Sequence, residues 1–128
     1  MIHKRLIKKG DGFTLIEIVG VMVIIGLLSS MAAAKVFDTD TMAKQAALEA
    51  AVSDLNSRER LIWTRIKLSN DNWLNDAQIF AVLDTELGAE YHWASISYTG
   101  GSLDFKGLGV ALNRSPSTSG QPGAWKFN

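Results

Sequence analysis

The 128-residue chain contains no cysteine, which excludes disulfide bridges, thiolate metal sites and cysteine nucleophiles together. Histidine is nearly absent as well: His3 and His92 are the two, and neither has neighbours at metal-ligand spacing. No Gly-x-Ser-x-Gly segment occurs, so the serines have neither a strained elbow nor a spare histidine for a triad. Thirteen basic residues balance thirteen acidic ones, and no basic stripe is interleaved with aromatics, so a nucleic-acid platform is not expected. These absences point away from an enzyme. No cofactor and no metal is expected.

What the chain does have is one long apolar run. From Ile18 to Ala34 there are 17 residues without a charge, and Phe13 to Ala34 as a helix would reach roughly 33 Å, enough to span a bilayer. Lys4, Arg5, Lys8 and Lys9 precede it against the single acid Asp11. That bias keeps the N-terminal end cytoplasmic and sends the rest of the chain to the other side.

Glu17 interrupts the apolar run near its start. A charge at the centre of a membrane helix costs roughly 2.5 to 3.5 kcal/mol on insertion scales and is usually paired or functional. A cut between Gly12 and Phe13 would free an α-amino group one helical turn from Glu17, on the same chain or a neighbour. It would supply the missing cation.

The segment Gly12-Phe13-Thr14-Leu15-Ile16-Glu17, behind its basic leader and ahead of its apolar helix, resembles the class III signal of type IV prepilins and type II secretion pseudopilins. The resemblance covers about Lys4 to Ala34. It implies cleavage after Gly12 by a membrane prepilin peptidase, methylation of the Phe13 amine, and subunit assembly directed by Glu17 together with Phe13. Many pilins also carry a proline near the position of Ala34, which with the glycine matched by Gly26 frames a segment that can melt. This chain keeps the glycine and lacks the proline. Because glycine costs about 1 kcal/mol in a helix interior and proline about 3, a continuous helix from Phe13 is expected. Many major pilins staple their C-terminal loop with a disulfide, so the lack of cysteine leans toward a pseudopilin-like or minimal subunit.

Three other readings compete for the same segment. Ala32-Ala33-Ala34 offers a cleavage site for an ordinary secretory signal, although such signals have an apolar region of about 7 to 15 residues and seldom contain Glu. An uncut signal-anchor helix is the second. A buried core helix is the third, although the apolar run exceeds the 10 to 14 residues usual for one.

Beyond the apolar run, Asp38-Thr39-Asp40-Thr41 marks a polar boundary, and Met42 to Leu68 reads as a helix. Leu48, Val52, Leu55, Ile62 and Ile66 make an amphipathic stripe, with Glu59 where another apolar residue belongs. Packing of this stripe on the protein's own sheet is favoured over a coiled-coil seam. Asp40 with Lys44 and Asp54 with Arg58 are acid-first pairs four residues apart. Asp76 to Leu87 reads as a short helix capped by Asn75 or Asp76 and ended by Gly88. Tyr91 to Thr99 and Ser102 to Lys106 read as a hairpin about a Gly100-Gly101 turn. Gly107 to Arg114 adds a strand, Ser115 to Gly123 is a loop with both prolines, and Ala124 to Asn128 pairs last. Trp63, Trp73, Trp93 and Trp125 are expected as core or loop anchors, and His92 at the surface.

Calcium finds little support. Major pseudopilins commonly hold it in an acidic C-terminal loop, yet Ser115 to Gly123 has no acid. Asp38-x-Asp40 lacks the later EF-hand ligands. Asn70-Asp71-Asn72 with Asn75 and Asp76 is oxygen-rich and could bind a cation or simply be a solvated loop.

The sequence therefore predicts a pilin-like α+β fold, with a long N-terminal helix, half membrane and half amphipathic, packed on a small antiparallel sheet. Residues 1–12 form a cleaved leader, 13–37 the membrane and filament-core helix, and 38–128 an external α+β domain. Removing the leader takes away four basic residues and one acidic, leaving nine against twelve, so the mature subunit is mildly acidic. The expected role is a structural subunit of a type IV pilus or similar filament. A type II secretion pseudopilin and a small anchored or secreted binding domain are the alternatives. Expected partners are further copies and related pilin subunits, the prepilin peptidase, inner-membrane assembly machinery and lipid, with no nucleic acid. The expected location is the bacterial inner membrane, then a pilus or periplasmic pseudopilus.

Overall fold

A computed structural model describes residues 12–70 and 72–128. The basic leader, apart from Gly12, and Asp71 of the oxygen-rich cluster therefore lie outside the described residues. Six elements follow in order: α1 (Leu15–Leu68), α2 (Asp76–Val82), β1 (Tyr91–Ser97), β2 (Gly100–Phe105), β3 (Leu108–Ser115) and β4 (Ala124–Phe127). The chain divides into one compact unit ending at Thr39 and a second spanning Asp40–Asn128.

In the first unit, α1 opens at Leu15 and its apolar side chains are exposed throughout. It contains a stretch long and apolar enough to cross a membrane, none of it buried within the protein. The helical assignment does not break at Asp38–Thr41, where a polar boundary was expected. Thr39 donates its hydroxyl to the Lys35 carbonyl at 2.9 Å, and Asp40 pairs with Lys44 at 3.0 Å.

In the second unit, the rest of α1 buries Leu48, Ala51, Val52 and Leu55 against Leu103 of β2, Leu112 of β3 and Trp125 of β4. This is the expected intramolecular packing of the stripe. Each large apolar side chain so enclosed contributes about 1.5 to 3 kcal/mol. The sheet is an antiparallel meander in the order β1-β2-β3-β4. Alternation along β3 turns Leu108, Val110, Leu112 and Arg114 inward, with Leu112 and Arg114 buried. Indole and phenol tips find backbone partners: Trp93 donates to Thr85 O, Trp63 to Thr118 O and Tyr91 to Ala47 O. Asn56 of α1 accepts from Trp125 N and donates to Trp125 O, which pins the edge strand β4 to the helix.

Two boundaries differ from the sequence expectation. The β1–β2 turn is Tyr98-Thr99, and Gly100 and Gly101 belong to β2. Their glycine character answers close backbone approach: a Cβ on Gly100 would lie 2.1 Å from Leu112 O, and one on Gly101 2.2 Å from Ser95 O. Helix α2 stops at Val82 and does not reach Leu87. Leu83 turns extended and buries, while the Arg58 guanidinium holds the Asp84 and Glu86 carbonyls at 2.9 and 2.6 Å. A tertiary cation thus overrides local helix propensity. At the other end, Asn75 caps α2 as expected, its side chain accepting from Gln78 N at 3.2 Å.

Candidate processing and assembly site

The sequence between the leader and the apolar helix builds its own helix start. Thr14 and Glu17 stand at the spacing of a capping box, and both of its bonds form. Glu17 N donates to Thr14 Oγ1 at 3.2 Å, and Thr14 N donates to Glu17 Oε2 at 3.4 Å. The first main-chain bond of the helix, Ile18 N to Thr14 O at 3.1 Å, follows directly. Glu17 N is therefore taken by a side chain of the cap and does not extend the helix backward toward Phe13.

Gly12 and Phe13 accordingly precede α1, with Gly12 in a bend. Phe13 is 80% exposed. A Cβ on Gly12 would meet nothing within 4 Å among the described residues. Among the described residues, the peptide between them lies ahead of the helix, in the kind of exposed non-helical segment where proteolytic cleavage concentrates. The Glu17 carboxylate is folded back to the Thr14 N–H, one residue from the amine that cleavage would free. Glu17 shares one exposed, otherwise apolar groove with Phe13, Ile18, Val21, Met22 and Ile25.

Residues 7–33 match a family model, the prokaryotic N-terminal methylation motif. The chain carries a type IV prepilin-like class III signal. The prepilin-like motif and the exposed apolar helix together fit membrane anchoring, and the motif supports a pilin-like or pseudopilin precursor. No curated protein and no solved structure matches the chain. The motif covers the signal and the start of α1, and the α+β unit that follows lies outside it.

A second cluster, in the Asp40–Asn128 unit, went unread in the sequence. Glu59, which breaks the apolar stripe of α1, is fully buried and meets Arg114 of β3. The Arg114 guanidinium makes five hydrogen bonds, to both Glu59 oxygens, both Asp76 oxygens and Tyr98 O. That is its full donor capacity. Its face lies over the Phe80 ring at 5.2 Å. Trp125 Nε1 adds a bond to Glu59 Oε1 at 3.0 Å, and Asp76 Oδ1 accepts from Ser117 N and Oγ at 2.7 and 2.8 Å. Gly123 lets the loop pass close by, since a Cβ there would lie 2.9 Å from Glu59 Oε2.

Burial works against the ionised form of Asp76, but Arg114 and the two Ser117 donors outweigh it and hold the carboxyl below its usual value. Burial likewise opposes the Arg114 charge, and the two carboxylates more than restore it. The signal for this cluster was present in the sequence: a Glu at a stripe position, and an Arg at an inward position of β3.

Among the described residues, no group of three His, Asp or Glu side chains is placed to hold a metal ion. Asn72 uses its side chain to accept from Trp73 N, and Asp76 of the oxygen-rich cluster is committed to Arg114 and Ser117. His92 is exposed on β1.

Proposed function

We propose that this chain is a structural subunit of a type IV pilus or pilus-like filament and not a catalyst. A prepilin peptidase removes residues 1–12 by cutting between Gly12 and Phe13, and the Phe13 amine is then methylated. Residues 13–37 anchor the precursor in the inner membrane and later form the filament core, and residues 38–128 form its outer surface. Further copies, related pilin subunits and inner-membrane assembly machinery are its partners. The observation that carries this reading is the methylation motif at residues 7–33, set on an exposed apolar helix whose single early charge is Glu17.

The chemistry of assembly follows from that charge. In the lone subunit, Glu17 is satisfied in part by its own Thr14 N–H. In the filament it pairs with the positively charged Phe13 amine of a subunit, within an apolar core where an unpaired charge is costly. Each subunit thus brings one anion and one cation to helix packing that is otherwise greasy and tolerant of sliding.

Glu17→Val tests the mechanism. The variant should enter the membrane at wild-type level or better, because an expensive group is gone, and should give no filaments. Electron microscopy of producing cells, with the membrane level of the subunit measured in parallel, reads both halves. Normal filaments from Glu17→Val would overturn the proposal.

A further inference from the structure

Within the Asp40–Asn128 unit, α1 leaves three charges without partners. Its other charged residues are committed inside the chain: Lys44 to Asp40, Arg58 to Asp54, Glu59 to Arg114 and Lys67 to the Ser119 carbonyl. Glu49, Arg60 and Arg65 are exposed and form no ion pair among the described residues. Glu49 and Arg60 stand eleven residues apart, roughly 16 Å along the axis. Neither can serve the other within one chain.

Both of these lone charges sit beside an open apolar feature. Glu49 rims a groove of about 290 Å³ whose other walls are Gln45, Leu48, Val110 and Phe127. Phe127 pairs with the inward Leu112 yet stays 41% exposed, so the core is left uncovered at this end of β4. Alternation along β4 turns Lys126 to the other face of the sheet, away from the groove. Arg60 adjoins Leu61, a large apolar side chain left 59% exposed on the helix. One stretch therefore offers an apolar knob with a cation, and the groove offers an apolar floor with an anion.

We propose that Leu61 of one copy fills the groove at Leu48, Val110 and Phe127 of a second copy, with Arg60 meeting Glu49 of that copy. Burial of apolar surface drives the contact, and the opposite charges select the partner surface and its orientation. Knob and groove are different parts of the same molecule, so the contact is heterologous and runs head to tail. Contacts of that kind propagate into open filaments when the rotation does not close a ring. The inference rests on the filament reading for one thing, that copies lie side by side in the same direction. It is separate from the pairing of Glu17 with Phe13, because each copy in a helical assembly has more than one neighbour.

Disulfide trapping tests it, since the chain has no cysteine of its own. Two full-length versions of different mass, one carrying Gln45→Cys and the other Ser57→Cys, are produced together in cells and oxidised. Gln45 lies one turn before Glu49 and Ser57 one turn before Leu61, so the charges and the knob stay in place. A bridge forms only where the two Cα atoms come within about 7 Å. The mixed dimer should outnumber both same-site dimers. It should be lost when both versions also carry Glu49→Arg or Arg60→Glu, and should return when both carry the two reversals together. Same-site dimers alone, a mixed dimer indifferent to the single reversals, or one that the double reversal fails to restore would overturn the contact. Electron microscopy of the same cells keeps this test apart from the filament reading. Filaments without the mixed dimer would overturn the contact alone, a mixed dimer without filaments would support the contact and remove the filament reading, and the absence of both would overturn both.

Discussion

Arg114 and Asp76 meet as a fork on a fork: Nη1 lies 2.7 Å from Oδ2 and Nη2 2.9 Å from Oδ1. This bidentate contact joins β3 to the first turn of α2. The remaining guanidinium donors reach Glu59 and the Tyr98 carbonyl, so a single side chain ties together α1, α2, β3 and the β1–β2 turn. In a chain without cysteine, this ionic clasp, together with Asp76 and Ser117, holds the start of the C-terminal loop to the body of the fold.

Arg114→Met should destabilise the protein by about 3 to 5 kcal/mol, because the Glu59 carboxylate stays buried without its cation. Thermal or urea unfolding of the full chain in micelles would measure this. A loss below about 1 kcal/mol, the value of an exposed pair, would mean that the clasp is not closed in solution.

Asp76→Asn should cost about 1.5 to 3 kcal/mol near neutral pH, the worth of hydrogen bonds to a charged group. The folded protein holds Asp76 below its ordinary value of 3.8. Its contribution is therefore complete above that pH and disappears as the pH falls through the lower, folded-state value. The gap in stability between wild type and Asp76→Asn should accordingly be constant from neutral pH down to about 4 and should narrow below 3.8. A gap that widened on acidification would carry the wrong sign for this account.

Gly12→Val should leave the leader attached. The space around Gly12 is open among the described residues, so the larger side chain meets none of them and its effect would report the peptidase's pocket. Intact mass measurement of the membrane-bound protein would read the outcome, and a processed mass equal to that of wild type would remove Gly12 from the cleavage site.

Much of this architecture was legible in the sequence, for reasons that can be located. The stripe from Leu48 to Ile66, the strand over Gly107 to Arg114 and a cap at Asn75 or Asp76 are short-range patterns, and local sequence suffices to read them. The end of α2 and the β1–β2 turn were misplaced because distant groups decide them: Arg58 captures the carbonyls after Val82, and the strands on either side of β2 crowd Gly100 and Gly101. The clasp was missed for the same reason. Glu59 stood out as a fault in the stripe, but its partner lies 55 residues away, and only the register of the sheet brings the two together. At the N-terminus the order reverses. Gly12, Phe13 and Glu17 were singled out from the sequence pattern, and the structure adds that Thr14 and Glu17 cap the helix just after the bond proposed for cleavage.

The most direct test of the central claim is the N-terminus of the mature protein, read by N-terminal sequencing and mass spectrometry of the subunit from a strain carrying a prepilin peptidase. The account predicts a chain beginning at Phe13 with one methyl group on its amine. A chain beginning at Lys35, or one that keeps Met1 to Gly12, would contradict it.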